Sequence, residues 1–325
     1  DRCMPNTASL PKRGYLYVTL GAFLWAVSGP AAKFLFQQGV SPFDLVQLRV
    51  TLASSILFVW LVLRSPQLLR ISMKDILYFV ILGVTGMAMV HLTYFLAISK
   101  IKVAAAVLLQ YQAPVFIALY GVIVAGENLT RYTVLAILGT LLGCYFVVGG
   151  YNLDLLTLNR EGVIYGGLSA IAFGWYSVYG ERGMSRYTPW TVLFYAMFIA
   201  ALFWNVIHPV WKEVPPAFAS LLRPYSTVQW GWILYIAVAG TILPFGLYFE
   251  GINLIRSTRA SITATLEPIT AGFVSYFFLS ESLAPLQILG AVFVIASIVL
   301  LQLRQEYDDN TPALLRAHGK TIEKH

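Results

Sequence analysis

The sequence predicts an all-α integral membrane protein: ten transmembrane helices, arranged as two inverted five-helix repeats around a central cavity. Three observations predict it. The chain of 325 residues is 58% hydrophobic and only 11% charged, with a mean hydropathy of +0.72. A water-soluble domain this apolar has nowhere to hide its surface. The apolar residues fall into ten runs of about 17–23 residues, close to the ~20 that cross a bilayer as a helix. The two halves of the chain also match each other.

In order, the spans are read at about 15–36, 43–63, 76–98, 103–125, 132–150, 162–181, 189–207, 229–251, 258–279 and 285–303. The first follows Lys12-Arg13. Its apolar run is longer than a signal-peptide core and more spans follow, so it reads as a signal anchor. Ser41-Pro42 and Thr188-Pro189 open the second and seventh spans. Short turns at Ser99–Lys102 and Asn253–Ser257 separate the third from the fourth and the eighth from the ninth. The runs are continuous, not alternating segments of about ten residues, which excludes a β-barrel.

Ten spans put both termini on one side. That side carries fifteen of the Lys and Arg residues, including Arg64, Arg70, Lys74, Arg182 and Arg186. The other carries six, among them Lys33, Lys100 and Lys102. Basic residues favour the cytoplasm, so both termini are expected there. The net charge of +7 is spread over loops and is no nucleic-acid signature. Cys3 and Cys144 are too few and too far apart for a disulfide framework or a metal site. The expected organisation is one repeat over 14–150, a second over 160–303 and a polar cytoplasmic tail over 304–325.

The repeat is read by shifting residues 83–132 onto the second half by 154 positions, without a gap. Gly86/Gly240, Tyr94/Tyr248, Phe95/Phe249, Pro114/Pro268 and Glu127/Glu281 then coincide. Apolar identities alone would mean little; glycine, proline and glutamate at one constant shift mean more. The outer spans match more loosely, as in "AFLWAVS" (22–28) and "AFGWYSV" (172–178). Five spans is an odd number, so the second repeat is upside down. Inverted repeats are typical of secondary transporters, with the substrate site between the repeats near the midplane.

The order of motifs is Pro42-x6-Arg49, then Ala113-Pro114 with Gly126-Glu127, then Glu267-Pro268 with Ser280-Glu281. Over about 14–303 this resembles the EamA-type transporters of the drug/metabolite transporter superfamily. More narrowly it is similar to bacterial amino-acid exporters of the YddG type. The resemblance implies a cavity lined mainly by helices one, three, four, six, eight and nine, and export as the direction. The first half departs from the fuller motif, with Ala113 where the second half has Glu267.

Glu267 stands near the middle of span nine. A charged carboxylate there costs about 2.5–3.5 kcal/mol, so it is expected to face a wet cavity or to be protonated. It is either a contact for a substrate amine, a proton-coupling site, or a protonated acid bonded to a neighbouring helix. Pro114 and Pro268 free the carbonyls of Gln110 and Ala264, giving matched kinks that act as hinges or as static bends. Gln110, Tyr111 and Gln112 form a polar patch for a substrate or for a neighbouring helix. His91 and Tyr94 are three apart and share a face; the histidine is a candidate proton carrier. Trp25 and Trp175 match across the repeat, Trp175 and Tyr179 are four apart, and Tyr248 matches Tyr94. Such rings suit an apolar or aromatic group or a cation, or simply pack. The expected substrate-binding set is therefore Trp25, His91, Tyr94, Gln110, Tyr111, Trp175, Tyr179, Tyr248 and Glu267. Arg49 is expected to snorkel or to bond carbonyls, because Asp44, five residues away, is poorly placed to pair with it. Gly139-x3-Gly143 and Gly162-x3-Gly166 are expected to let helices pack closely.

No G-x4-G-K-[ST], H-E-x-x-H, G-x-S-x-G or T-V-G-Y-G sequence occurs. The expected function is secondary transport by alternating access, without cofactor or metal. Sugar-phosphate carriers would need several cations at the site, and mid-span basic residues are scarce. A roomy, aromatic, weakly charged cavity instead suits neutral or aromatic amino acids. A lipophilic-cation (multidrug) exporter with Glu267 as counter-ion is the alternative, and an intramembrane enzyme or channel a more distant one. The expected partners are a small-molecule substrate and membrane lipid, with no nucleic acid; the oligomeric state is open. The orientation has a direct test. A fluorescent protein fused after His325 should fluoresce and alkaline phosphatase fused there should be inactive; the reverse pattern contradicts the assignment.

Overall fold

The structure, a computed structural model, describes residues 10–125, 131–147, 151, 153–208, 225–264 and 266–303. Among these every regular element is a helix and there is no strand. Gly126-Glu127 and the 304–325 tail lie outside the described residues.

The first helix, α1 (Leu10–Gln37), is apolar on more than one face: Leu16, Leu20 and Phe23 are exposed while Val18, Ala22 and Trp25 are buried. A helix greasy all round has lipid as its natural surroundings. α2 (Pro42–Arg64) starts with Ser41, whose side chain accepts from the Phe43 N–H, and Pro42 supplies a pre-set φ where no helical N–H is needed. The same device opens α9 (Pro189–Ile207), where the Thr188 side chain accepts from Thr191 N–H. The Ser-Pro and Thr-Pro pairs thus act as matched helix starts.

α3 (Ile76–Ile81) runs through a π-helical segment (Leu82–Ala88) into α4 (Met89–Lys100). α5 (Val103–Gln110) follows, then α6 (Ala113–Ala125), α7 (Arg131–Val147) and α8 (Leu153–Gly183). After α9, α10 (Thr227–Ala237) passes through a second π segment (Val238–Ile242) into α11 (Leu243–Thr263). α12 (Leu266–Leu279) and α13 (Pro285–Leu303) complete the described chain. Gly86 and Gly240, 154 residues apart, both sit in the π segments. Such bulges are rare and often mark functional sites.

By length and composition, six helical runs among the described residues can cross a membrane, and two shorter apolar helices accompany them. The turn at Ser99–Lys102 is present between α4 and α5. The expected turn at Asn253–Ser257 is not: α11 continues through it to Thr263. The matched kinks are also corrected. Pro114 and Pro268 do not bend a continuous helix; each lies in the first turn of a new one, α6 and α12. Proline is tolerated there because the first N–H groups of a helix have no intrahelical partner.

The packing pairs α1 with α11, α4 with α8, α2 with α9 and α7 with α13, while α12 lies against α1 and α5. Small residues set the closest approaches. A Cβ added at Gly143 would meet Gly290 O and Val294 Cγ2 at 2.7 Å, and one at Gly166 would meet Leu109 Cδ1 at 2.6 Å. Gly139 abuts Ser297 and Gly162 abuts Ile101, so both glycine pairs serve close helix contact. Gly143→Val should therefore destabilise the protein by about 1–3 kcal/mol. Thermal melting of the detergent-purified protein checks this; an unchanged melting temperature contradicts the close α7–α13 contact.

Candidate functional site

The helices meet around one buried cavity lined by Trp25 and Ser28 of α1, Arg49 of α2, and Val90, His91 and Tyr94 of α4. Gln110 and Tyr111 at the α5–α6 break, Phe173 of α8, Phe245 of α11 and Glu267 of α12 complete the wall. Both halves of the chain contribute. The space open to the centres of water molecules is about 30 Å³, enough for about two waters. The expected roomy cavity is thus corrected to a narrow one, because Trp25 packs edge-on to Phe245 at 4.8 Å and to Phe173 at 6.0 Å.

Glu267 is 4% exposed. The Tyr111 hydroxyl donates to its Oε2 at 2.6 Å and the Tyr94 hydroxyl approaches Oε1 at 3.5 Å. It also lies in the first turn of α12, where free N–H groups and the helix dipole favour an acid. The Glu-Pro pair is therefore a helix start placed at a cavity: proline needs the first turn and the acid benefits from it.

Arg49 is 2% exposed. Its Nε donates to Thr241 Oγ1 at 2.9 Å and its Nη2 to Gly240 O at 3.0 Å. Both acceptors lie in the second π segment, and the residue four after Gly240 is Pro244, which has no N–H to offer its carbonyl. The guanidinium also lies 4.7 Å over the Phe95 ring. Arg49 bonds a carbonyl as expected but does not snorkel; it lines the cavity. Asp44 is engaged elsewhere, by His208 Nε2 at 2.7 Å and by the Tyr225 hydroxyl at 2.8 Å. Burial and this bond hold the Tyr225 hydroxyl above its ordinary pKa, keeping it a donor.

Two wall residues carry unmet hydrogen-bonding capacity. Both ring nitrogens of His91 and the Nε1 of Trp25 are buried without a partner among the described residues. Buried polar groups are rarely left so, and each orphan costs about 1–3 kcal/mol. His91 instead meets the Phe245 ring edge-on at 5.2 Å.

Six of the nine expected residues, Trp25, His91, Tyr94, Gln110, Tyr111 and Glu267, come together here. Three do not line it. Tyr248 lies fully buried behind the wall, its hydroxyl 3.0 Å from Ser177 Oγ and its ring 5.4 Å from Phe173. Trp175 and Tyr179 stack on each other at 4.7 Å, and Trp175 Nε1 donates to Thr85 Oγ1. The inward face of α8 runs through Ser169, Phe173, Tyr176 and Ser177, at helical spacing. Trp175 and Tyr179 lie off that face. Phe173, Phe245, Ser28, Val90 and the cavity position of Arg49 were not foreseen from the sequence. The spacing of Phe173, Tyr176 and Ser177 was the available signal for the first.

Both ends of the bundle are tied by polar contacts. At one end Asp75 accepts from Arg186 Nη1 at 3.0 Å and from the Tyr187 hydroxyl at 2.6 Å, and Ser257 donates to Glu181. At the other, Val103 N–H donates to Glu281 at 2.9 Å, and Lys33 Nζ donates to Ile98 O and Ile101 O. Lysine at those carbonyls caps the end of α4.

Comparison with known proteins gives a consistent picture. The profile of the EamA-like transporter family matches residues 12–149 and again 160–303. The uncharacterized inner membrane transporter YicL of Salmonella typhimurium is 28% identical over 298 residues, 90% of this chain and 96% of its own. An uncharacterized transporter of Archaeoglobus fulgidus is 30% identical over 208 residues, 64% of this chain and 70% of its own. One solved crystal structure superposes with a TM-score of 0.63 at 18% identity, covering 91% of this chain and 97% of that one, a likeness of fold alone.

The Tyr111–Glu267 bond can be measured by a double-mutant cycle of Tyr111→Phe and Glu267→Gln on thermal stability. A coupling on the order of 1 kcal/mol is expected for a membrane-buried pair. Additive effects contradict the bond.

Proposed function

Because the chain belongs to the EamA-like transporter family, we propose that it is a secondary transporter exporting small metabolites, neutral and aromatic amino acids foremost, by alternating access. An uncharacterized inner membrane transporter of a bacterium is among its relatives. The observation that carries the reading is the central cavity: it draws its wall from both halves and holds unmet polar groups beside aromatic rings. Sites of this composition, mostly apolar with a few placed polar groups, are typical of small-molecule binding.

The proposed architecture is ten transmembrane helices in two inverted repeats with both termini cytoplasmic. Three features support it: two family matches, one in each half, paired π segments, and helix breaks before Pro114 and Pro268. Packing of α1 on α11 answers that of α8 on α4 when the halves are exchanged. The narrow cavity, with polar ties at both ends, fits a closed state between two open ones. Opening either end would widen the site, with the two helix breaks as hinges. The likeness to amino-acid exporters of the YddG type belongs to this proposal. A lipophilic-cation exporter is disfavoured by Arg49, whose fixed charge would face such a substrate across the cavity.

Liposomes containing the purified protein should take up labelled phenylalanine saturably. Glu267→Gln should lower the rate by about tenfold or more, as expected when a buried charged contact is lost. Absence of saturable amino-acid flux contradicts the proposal. Flux insensitive to a pH gradient and unchanged in Glu267→Gln removes proton coupling through this residue.

A further inference from the structure

Two charged side chains line the cavity among the described residues, and each breaks the repeat. Aligning Pro42 with Pro189 places Arg49 opposite Ala196, and the 154-residue shift places Glu267 opposite Ala113. A fixed cation and an acid thus stand at one buried place, one from each half, on an otherwise repeated frame.

We infer that Arg49 is a substrate-anchoring residue of this cavity: it holds the carboxylate of a zwitterionic substrate whose ammonium group faces Glu267. The inference rests on the reading of the cavity as the substrate site. Arg49 uses two N–H groups on Thr241 Oγ1 and Gly240 O. A guanidinium has five, so three remain for a carboxylate, which it can engage in bidentate fashion. The orphaned nitrogens of His91 and Trp25, 1% and 7% exposed, add capacity at the same wall. Phe173 and Phe245 beside Trp25 offer an apolar place for the substrate's side chain.

Charge balance points the same way. A ligand with both charges meets an opposite charge at each end. A lone amine would leave Arg49 uncompensated in a dry site, and a lone acid would do the same to Glu267, both costly. The anchor also touches a backbone element that is not regular helix. A carboxylate arriving at Arg49 competes with Gly240 O, so binding loosens the tie between α2 and the π segment.

The test is competition for labelled phenylalanine on the purified full chain. Unlabelled phenylalanine, phenethylamine and 3-phenylpropionate share the ring and differ in charge. Phenylalanine should compete at concentrations at least about tenfold lower than either truncated analogue, the rejection expected of a site left with an unpaired buried group. In Arg49→Gln the advantage of phenylalanine over phenethylamine should vanish, while Arg49→Lys should keep part of it. Equal competition by phenylalanine and phenethylamine in the unmodified protein overturns this inference and leaves amino-acid transport standing. No binding of labelled phenylalanine overturns both. Should Arg49→Gln fail to fold, the analogue series on the unmodified protein still decides.

Discussion

Burying Arg49 and Glu267 in a bundle wrapped by lipid is the constraint on which the other features of the site depend. An unpaired charge in such a place costs several kcal/mol, so each must be surrounded by groups that answer it. For Arg49 the answer is a π segment that presents Gly240 O and Thr241 Oγ1, with the Phe95 face beneath. For Glu267 it is the Tyr111 hydroxyl and the first turn of α12. The irregularities of the helices are thus the means of holding charge where regular helix could not.

The scaffold around these charges is close to symmetric and the charges are not. Paired π segments, paired helix breaks and paired Ser-Pro and Thr-Pro starts recur in both halves. Gly240 packs so tightly on α1 that an added Cβ would lie 2.5 Å from Ser28 Oγ; Gly86 packs on α8, 3.1 Å from Tyr176 Cδ2. Recurrent features of this kind give the two halves a common backbone framework. Arg49 and Glu267 each occur in one half only, so the cavity wall is asymmetric on an otherwise repeated frame.

Long apolar helices were legible because lipid imposes length and greasiness on any helix that crosses it, and the two-part organisation was legible because glycine and proline mark backbone geometry. Glu267, His91 and Tyr94 were legible as cavity-lining residues because polar groups in apolar runs need a reason to be there. Trp175 and Tyr179 misled: a tryptophan matched by local likeness to Trp25 lies on another face of α8, and a small shift in alignment turns a helix face away. Tyr248 followed the repeat faithfully yet packs one layer behind the wall, since the repeat fixes backbone position and not which side chain reaches the cavity. Arg49 was visible as an isolated cation, but its acceptors lie almost two hundred residues later in a π segment that periodicity does not reveal. Pro114 and Pro268 read as kinks because a proline inside an apolar run looks the same whether the helix bends or restarts.

A cavity of about 30 Å³ with two charges and orphaned donors is closed around very little. To hold an amino acid bridging Arg49 and Glu267, the cavity must widen around it. The most direct measurement is an experimental structure of the protein with phenylalanine. Ligand density is expected between Arg49 and Glu267, with the ring among Trp25, Phe173 and Phe245 and the wall moved outward. Phenylalanine bound elsewhere, with the cavity still narrow and Arg49 still held on Gly240 and Thr241, would contradict it.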